Sequence, residues 1–460
     1  MFEDLRSFIE GLEKAGELIR IQEELSPVYE IPGAIRQVDK RMGSAVLFEK
    51  VQGFSVPVVG NLLGRRRRLA LALRVPEEEL AQTYSARRQR LIPPQRVEHG
   101  PVQEVVISQN IQISRAIPVL THHQKDAGPY FTSATTLAKD PVTGVRGMGI
   151  HRIQVKGDDT LGIFLATPPL SHFLRKAEER DQPLEIALAV GLDPITFFSS
   201  VVWAPEGVDK FEIAGGLAQQ PIELVKARSV DLEVPARAEF VLEGSILPHR
   251  REKEGPFGES TGYYFSFDNP VAQIRTITHR RNPVYHALMP FASEESVLID
   301  ISWEMDHLKM VQEALPKVRR MHLRNLGEIA LLQIAKDSEG DVAEIFRYLL
   351  PSNPFVKVAI VVDTDVDITD PQEVEWAVAT RVRPQQDLTV MTDLPGVMID
   401  PSTTGGERTA RESLLITRTS KLGIDATVPL NERERYEKID IPEAVKARVA
   451  QIVSKYERKG

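Results

Sequence analysis

The 460-residue chain contains no cysteine. This absence excludes disulfide bonds, thiolate metal sites, iron–sulfur clusters and cysteine nucleophiles. The sequence also has no run of about 18 apolar residues, and it therefore predicts no membrane-spanning helix. The first residues lack a basic region followed by an apolar block, so no secretory signal is predicted. We expect a cytoplasmic protein in which His, Asp, Glu and Arg side chains carry any chemistry.

A basic surface is missing as well. The formal net charge is −8, which argues against nucleic-acid binding, and 42 % apolar residues with 27 % charged residues are typical of a globular protein. No HExxH zinc motif occurs. His122 and His123 are adjacent, and on the strand predicted here they point to opposite faces and are poor joint ligands. A chain of this length predicts two or three domains.

Residues 1–105 are predicted to form an N-terminal α/β region. Leu5, Phe8, Ile9 and Leu12 follow helical spacing, and Gly16 ends that helix. The short strands predicted after it are Ala45–Phe48 and Val56–Gly60. The four arginines of Arg65–Arg68 suggest either a solvated helix start or a phosphate site, and we favour the solvated helix start because the chain is acidic overall.

Residues 106–305 change to short β-rich runs separated by turn signals, which predicts a barrel or sandwich domain. The predicted strands are Glu104–Ile107, Arg152–Lys156, Leu161–Leu165, Glu239–Glu243, Ala272–His279 and Val284–Met289. One amphipathic helix, Ser171–Glu179, is predicted to interrupt them.

Residues 306–430 alternate again between strand and helix patterns, which predicts a C-terminal α/β domain. Phe355–Val362 is a β-branched run typical of a buried parallel strand. An acidic loop follows it, and a helix is predicted to begin with Asp370 as N-cap, Pro371 in the first turn and Glu373 completing a capping box. The acids of this loop suggest capping and solvation rather than a metal site.

Residues 431–460 are predicted to be a linker and a C-terminal helix. An apolar stripe on that helix predicts docking on another surface, most simply that of a second subunit. The stripe consists of Val445, Val449, Ile452, Val453 and Tyr456.

The segment Glu254–Glu259 carries two carboxylates with two glycines and a proline between them. Proline and glycine forfeit several kcal/mol of helical preference, so we predict a tight, rigid turn that opens into an aromatic strand over residues 262–267. Two acids on a stiff turn suit proton transfer, because close like charges push their pKa values apart. A solvated loop with two surface acids is the alternative.

These residues resemble the signature of the UbiD family of decarboxylases, and further segments agree with the family in order and spacing. The matching segments are Glu254–Glu259 with Thr261–Tyr264, Gly149–Arg152, Pro168–His172, Ala214–Gly215 with Pro221–Lys226, Asp365–Asp367 with Trp376–Arg381, and Gly423–Thr427. The resemblance covers nearly the whole chain. It implies a mixed α/β fold with an N-terminal α/β region, a central split β-barrel of flavin-reductase type, a C-terminal α/β domain and a terminal docking helix.

The resemblance also implies a function. Family members use prenylated FMN to remove CO2 from aromatic or α,β-unsaturated acids, and the matching positions make Arg152, Glu254 and Glu259 the catalytic network, with Glu259 as proton donor. A flavin prenyltransferase would supply the cofactor, and homo-oligomers from dimer to hexamer are expected. The implied cofactor-binding residues are Gly147, Met148, Gly149, Ile150, His151, Arg152, Ser171, His172, Ser200 and Lys210.

Two positions depart from the family pattern. Members bind Mn²⁺ or Mg²⁺, with K⁺ nearby, beside the flavin phosphate through an asparagine, a histidine and a glutamate. Here Gly147 stands at the asparagine position and Lys210 at the glutamate position, which leaves His172 and, if the strand is shifted, Glu212. A lysine can neutralise phosphate directly as a point charge. We therefore expect either Lys210 in place of the metal, or weak or absent cofactor binding.

Three hypotheses follow. The first is a reversible decarboxylase of an aromatic, heteroaromatic or unsaturated acid; the second is a flavin-free subunit of a larger carboxylase; the third is a non-catalytic assembly subunit. Gly147 and Lys210 favour the last two, whereas the intact set of Arg152 and two glutamates favours the first two. The segment Pro290–Ser296, with His286 nearby, either lines the substrate pocket or belongs to the core or rim.

Overall fold

The structure is a computed structural model that describes residues 2–205, 207–403 and 416–455. Its α-helices are α1 (Leu5–Lys14), α2 (Glu30–Met42), α3 (Arg66–Leu73), α4 (Leu80–Arg88), α5 (Ile113–Ala116), α6 (Leu170–Glu178), α7 (Pro194–Ser199), α8 (Lys210–Ala218), α9 (Ser293–Ala314), α10 (Asp341–Ser352), α11 (Pro371–Arg381), α12 (Pro384–Asp387) and α13 (Glu443–Val453). The mixed α/β fold predicted from the sequence is confirmed.

Four sheets lie within these ranges. Their strands are β1 (Leu18–Leu25), β2 (Ala45–Val51), β3 (Val58–Gly60), β4 (Gln95–Val97), β5 (Val105–Ile107), β6 (Tyr130–Phe131), β7 (Thr135–Lys139), β8 (Arg146–Ile150), β9 (Ile153–Val155), β10 (Thr160–Ile163), β11 (Leu184–Val190), β12 (Glu223–Lys226), β13 (Glu233–Pro235), β14 (Phe240–Gly258), β15 (Tyr264–His279), β16 (Tyr285–Ala287), β17 (Val318–Arg324), β18 (Ile329–Ile334), β19 (Val358–Asp363), β20 (Leu388–Val397) and β21 (Ile416–Ala426).

The largest sheet is antiparallel and curls around the middle of the molecule. Its order is β6-β9-β10-β15-β14-β11-β7-β8, and β5 pairs with β15. The hairpin of β14 and β15 forms the centre of this sheet, with strands of 19 and 16 residues. The inner face carries alternating apolar side chains such as Ile186, Leu188 and Leu242, which are buried in one core cluster.

Two details of the predicted β-rich region are wrong. Val284–Met289 does form a strand, β16, but β16 pairs in parallel with β3 and so completes the N-terminal sheet of order β1-β2-β3-β16. The region also contains more helix than the single predicted one, because α7 and α8 follow the confirmed α6. Pro194 in the first turn of α7 and the Asp209 N-cap of α8 are the local signals for these two helices.

The C-terminal sheet has the order β17-β18-β19-β21-β20, with β18, β19 and β21 parallel. Asp370 caps α11 as predicted, since its side chain accepts from Gln372 N–H. The predicted capping box does not form, because Glu373 accepts from the N–H of Asp367 at 3.0 Å instead of that of the N-cap. Helix α9 runs through the predicted domain boundary at 305/306.

The C-terminal helix α13 buries none of its described residues. Its apolar stripe is exposed, with Val445, Val449, Ile452 and Val453 each 45–51 % accessible. The fifth predicted stripe residue, Tyr456, lies outside the described residues. Among the helices of the described ranges, none combines the length and apolar character that a membrane crossing requires.

Arg68 corrects the prediction of a solvated arginine run. Its side chain is fully buried, and its guanidinium donates to the carbonyls of Gly43 at 2.6 Å and Asn61 at 2.9 Å and pairs with Glu17. Burial lowers the pKa of Arg68. Arg67 pairs with the same Glu17, but its side chain is 57 % exposed. One arginine of the run therefore ties the end of α2 to α3, while its neighbour remains at the surface.

Arg68→Met should destabilise the protein by about 2–4 kcal/mol, because it leaves buried carbonyls without a donor and Glu17 without its buried partner. The matched Arg67→Met change should cost less than about 1 kcal/mol, since it removes a largely solvated ion pair. Urea unfolding followed by circular dichroism measures both. Equal effects of the two variants would contradict a special role of Arg68.

Candidate active site

Arg152 lies at the centre of the candidate site, in the short link between β8 and β9. Only 8 % of the residue is exposed. A buried guanidinium requires anionic partners, because an unpaired charge in a protein interior costs several kcal/mol. The identity of those partners therefore decides what the site can do.

Two glutamates supply the negative charge. Nη2 of Arg152 donates to Glu254 Oε2 at 2.6 Å, and Nη1 donates to Glu259 Oε1. Burial alone would lower the pKa of Arg152, but the charges of Glu259 and Glu254 outweigh it and raise that pKa. The structure thus brings Arg152 together with two glutamates that lie 102 and 107 residues away from it in the chain.

A bulge in the hairpin explains how both glutamates reach one guanidinium. Side chains alternate between the faces of a regular strand, so residues five apart point to opposite sides. In β14 the register shifts between Glu254, opposite Phe267, and Phe257, opposite Phe265. The extra residue on β14 restores a common direction for Glu254 and Glu259.

The segment that precedes Glu259 is therefore strand rather than the predicted tight turn. Gly255 has a φ of +99°, and a Cβ on it would lie 2.6 Å from the carbonyl oxygen of Phe265. The chain turns only after β14, where Gly262 N–H donates to the Glu259 carbonyl at 2.8 Å. The aromatic strand consequently begins at Tyr264, later than predicted.

Aromatic rings enclose the guanidinium. The ring centroids of Phe164, Phe257 and Phe267 lie 4.6, 5.2 and 5.5 Å from Cζ of Arg152. Such contacts favour a cation and keep water away from it. The ion pairs of Arg152 are accordingly stronger than surface pairs, since the effective dielectric constant around them is low.

Glu254 is held by a second group of contacts. Asn269 Nδ2 donates to Glu254 Oε2 at 2.8 Å, and the N–H of Gly255 donates to Gln154 Oε1 at 3.3 Å. Burial and the charge of Glu254 raise the pKa of Tyr130, which keeps that phenol neutral. Glu254 thus orients Arg152 from one side and is not free to move toward a ligand.

Asp126 fixes the other end of the segment. Its carboxylate accepts from the backbone N–H groups of Gly258 at 2.9 Å, His122 at 3.1 Å and His123 at 2.8 Å. Burial raises the pKa of Asp126, and these three bonds oppose the increase. The two histidines lie in this loop and not on the predicted strand. Burial lowers the pKa of His122 to about 3, so it is a neutral packing residue.

Four of the predicted cofactor-binding residues, Gly147–Ile150, lie on β8. Met148 is buried and packs in the hydrophobic core. A Cβ on Gly147 would lie 2.6 Å from the Phe173 ring and 2.8 Å from Pro169. An asparagine in this position would therefore require both neighbours to move.

His151 and Lys210 form a buried basic pair beside β8. Burial lowers the pKa of His151 to about 4, and the charge of Lys210 contributes to this. Burial also lowers the pKa of Lys210 to about 8, and its Nζ donates to the carbonyl of Ser200 at 2.8 Å. His151 Nε2 lies 3.3 Å from Thr167 Oγ1. At neutral pH the lysine is thus the charged member of the pair.

The predicted metal ligands do not fit a divalent ion. His172 lies on α6 and Glu212 in the first turn of α8. In the part of the chain that the structure describes, no three His, Asp or Glu side chains lie close enough to share a metal. Mg²⁺ and Mn²⁺ prefer several oxygen ligands, and this arrangement does not provide them.

The same region contains buried polar atoms that a ligand could engage. The buried atoms His151 Nδ1 and Ser171 Oγ have no hydrogen-bond partner, and buried polar groups of this kind normally have one. A cavity of about 140 Å³ opens beside His151. It is lined by Thr132, Ile150, His151, Arg152, Val201, Phe257, Leu288, Pro290, Glu295, Leu298 and Ile299. Unpaired donors, a cation and apolar walls suit an anionic heterocyclic ligand.

Several residues of the site escaped the sequence analysis. Asn269, Asp126 and Phe164 carry no local signal, because their roles depend on strand register and on loop contacts. Glu295 lines the cavity, so the predicted segment Pro290–Ser296 does contribute to it. His286 does not, since it is buried and bonded to Glu294 at 3.3 Å.

Comparison with known proteins identifies the family of this chain. The chain matches the three domain models of the 3-octaprenyl-4-hydroxybenzoate carboxy-lyase (UbiD) family: the N-terminal domain over residues 9–88, the Rift-related domain over 95–292 and the C-terminal domain over 296–426.

Among curated relatives, an anhydromevalonate phosphate decarboxylase from Methanothermobacter thermautotrophicus is 33 % identical over 93 % of this chain and 98 % of its own length. A phenolic acid decarboxylase from Sedimentibacter hydroxybenzoicus is also 33 % identical, over 94 % of this chain and 92 % of its own. The UbiD-class enzyme HmfF from Pelotomaculum thermopropionicum, solved with FMN, is 42 % identical with a TM-score of 0.89, covering 97 % of this chain and 99 % of that one. An evolved dimeric form of HmfF, solved with prFMN, is 40 % identical with a TM-score of 0.86, covering 96 % and 98 %.

Lys210→Met should raise the pKa of His151 above its value of about 4, because it removes a neighbouring positive charge. Burial, the larger cause, remains, so the pKa should stay below that of a solvated histidine. An NMR titration of labelled histidine measures the change. Lys176→Met is the matched control, because it removes a lysine of α6 that pairs with Asp140. A His151 pKa that is the same in all three proteins would contradict this electrostatic coupling.

Proposed function

This chain belongs to the UbiD family of carboxy-lyases, and on that basis we propose that it decarboxylates, reversibly and without oxidation, an aromatic, heteroaromatic or α,β-unsaturated acid with prenylated FMN as cofactor. The observation that carries the proposal is the buried Arg152, held between Glu254 and Glu259 and lining a cavity. The relatives that bind FMN, or whose names describe phenolic acid decarboxylation, support the same class.

Each member of the network has a separate task. Arg152 positions the anionic end of the substrate and the Glu259 carboxyl with its planar guanidinium. Glu254 keeps Arg152 charged and oriented. Glu259 delivers a proton to the carbon that loses CO2. Its Oε1 faces the guanidinium, while its Oε2 accepts from Ser260 N–H at 3.3 Å, so the two oxygens have different partners.

Prenylated FMN, when bound, supplies the electron sink that no side chain of this chain provides. We propose that His151, Ser171 and Lys210 hold it, with Gly149 and Ile150 along β8. Lys210 replaces the metal as the positive charge beside the flavin phosphate. A flavin prenyltransferase would be the source of the cofactor.

The exposed stripe on α13 supports a homo-oligomer in which this helix docks on a second copy. The dimeric form described for HmfF is consistent with such an assembly. Domain boundaries near 105, 305 and 430 are proposed with it, although α9 joins the central and C-terminal parts without a break.

The flavin-free carboxylase subunit is the second candidate. The tight packing of Gly147 against Phe173 and the buried Lys210 favour it, because both remove a metal ligand expected in the family. Near-ultraviolet and visible absorbance of the protein, purified after co-expression with a flavin prenyltransferase, separates the two candidates. A colourless protein would exclude the flavin-dependent one.

Glu259→Gln should abolish exchange of labelled bicarbonate into a panel of aromatic acids, with kcat falling by about 10² or more, because the amide cannot donate the proton. Glu252→Gln on the preceding strand β14 is the matched control, since Glu252 pairs with Lys156 and Arg250, outside the network, and it should leave exchange unchanged. Mass spectrometry of the extracted ligand and of the products identifies cofactor and acid. Full exchange by the Glu259→Gln variant would leave Glu259 with only a non-catalytic role.

Lys210→Met should weaken binding of FMN by about tenfold, because it removes the charge that faces the phosphate, and should leave riboflavin binding unchanged. Fluorescence quenching of the two flavins provides the measurement. Metal analysis of the cofactor-loaded wild-type protein should find far less than one Mn²⁺ per chain. Stoichiometric Mn²⁺ would rule out the substitution of lysine for the metal.

A further inference from the structure

Glu295 is an acid that lines the cavity, and the network described so far does not use it. It lies in the first turn of α9 and lines the cavity together with Arg152 and Phe257. The N–H of Phe291 donates to its Oε2 at 2.9 Å, which fixes the carboxyl. Its position is therefore set by the backbone of the turn before α9.

Ser260 connects Glu295 with Glu259. The hydroxyl of Ser260 donates to Glu259 Oε2 at 3.4 Å, and its interaction with the Glu295 carboxyl lowers the pKa of that acid. One hydroxyl group therefore lies between two carboxyls, and a hydroxyl can donate to one acid while accepting from the other. This is the geometry of a short proton path.

Burial and a neighbouring charge favour the acid form of Glu295. Burial raises the pKa of Glu295 to about 8, and the negative charge of Glu259 adds to the effect, whereas the bonds from Phe291 and Ser260 oppose it. Glu295 is therefore mostly protonated at neutral pH. The other charged or titratable groups packed around this segment are Arg152, His151, Arg36, Asp39 and Glu294.

We propose that Glu295 passes a proton through the Ser260 hydroxyl to Glu259 and so restores the acid form of Glu259 in each turnover. This inference rests on the proposed function. Glu295 acts through Glu259 and does not itself touch the reacting carbon.

The proton balance of the cycle is closed. The carbon–carbon bond to CO2 breaks, and the proton of Glu259 forms the new carbon–hydrogen bond, which leaves Glu259 as a carboxylate. Ser260 gives its proton to Glu259 and takes one from Glu295. Water in the cavity that Glu295 lines then returns a proton to it, so one proton is consumed for each CO2 released.

The pH dependence of kcat tests the relay. In the wild-type enzyme kcat should fall above pH 8, because Glu295 then loses the proton that it must supply. Glu295→Gln retains an acceptor for Phe291 N–H but holds no transferable proton. It should lower kcat by about tenfold or more, leave KM unchanged and remove the decline above pH 8. Ser260→Ala should behave like Glu295→Gln. Ser260→Thr, which retains the hydroxyl, should show the wild-type pH profile of kcat.

Asp300→Asn is the matched control. Asp300 lies on the same helix, burial raises its pKa to about 7, and it accepts from Gly327 N–H at 2.7 Å, away from the cavity. Its substitution should leave the pH profile of kcat unchanged. A wild-type profile in Glu295→Gln, or an equal change in Asp300→Asn, would overturn the relay.

A measurement on the cofactor-free protein separates this inference from the proposed function. Carbon NMR of labelled glutamate should show one carboxyl that titrates near pH 8, disappears in Glu295→Gln and titrates at lower pH in Glu259→Gln. The proposal is overturned if the Glu295 carboxyl titrates below pH 6, or if it titrates at the same pH in the wild-type protein and in Glu259→Gln. If the wild-type protein decarboxylates no acid, the proposed function fails and this titration alone decides whether the two acids are coupled.

Discussion

Arg152 carries a positive charge into a part of the molecule from which aromatic rings exclude most of the water, and this charge has to be balanced locally. Glu254 on β14 and Glu259 directly after it provide that balance, and both lie more than 100 residues from Arg152 in the chain. The ion pairs therefore link two remote parts of the central sheet, and the same contacts that neutralise the guanidinium hold Glu259, the proposed proton donor, beside the arginine that lines the cavity. Stability and chemistry at this site depend on the same three side chains.

The hairpin of β14 and β15 is built to maintain this arrangement. Its bulge turns both glutamates to one face, Asp126 holds the N–H before Glu259, and Asn269 holds Glu254 from the partner strand. Backbone and side-chain bonds thus restrict the acids before any ligand arrives. Such preorganisation favours proton transfer, because little reorganisation is needed during the reaction.

The region beside β8 follows a different electrostatic logic. A metal site would combine several carboxylate oxygens with a dication, whereas here a single lysine supplies the positive charge and the small Gly147 is packed against Phe173. Both arrangements can neutralise a phosphate. The lysine differs in having a titratable charge and no ability to coordinate several oxygens.

The sequence by itself determined the mixed α/β fold, helix α6, the cap of α11 and the grouping of Arg152, Glu254 and Glu259 in one site. These features depend on local patterns and on short motifs that can be recognised in the sequence. Only the tertiary structure decided that Arg68 is buried, that β16 joins the N-terminal sheet and that Glu254–Gly258 is a bulged strand. The roles of Asn269, Asp126, Ser260 and Glu295 were likewise invisible in the sequence. Each depends on strand register or on contacts between distant segments, and no single stretch of residues encodes such contacts.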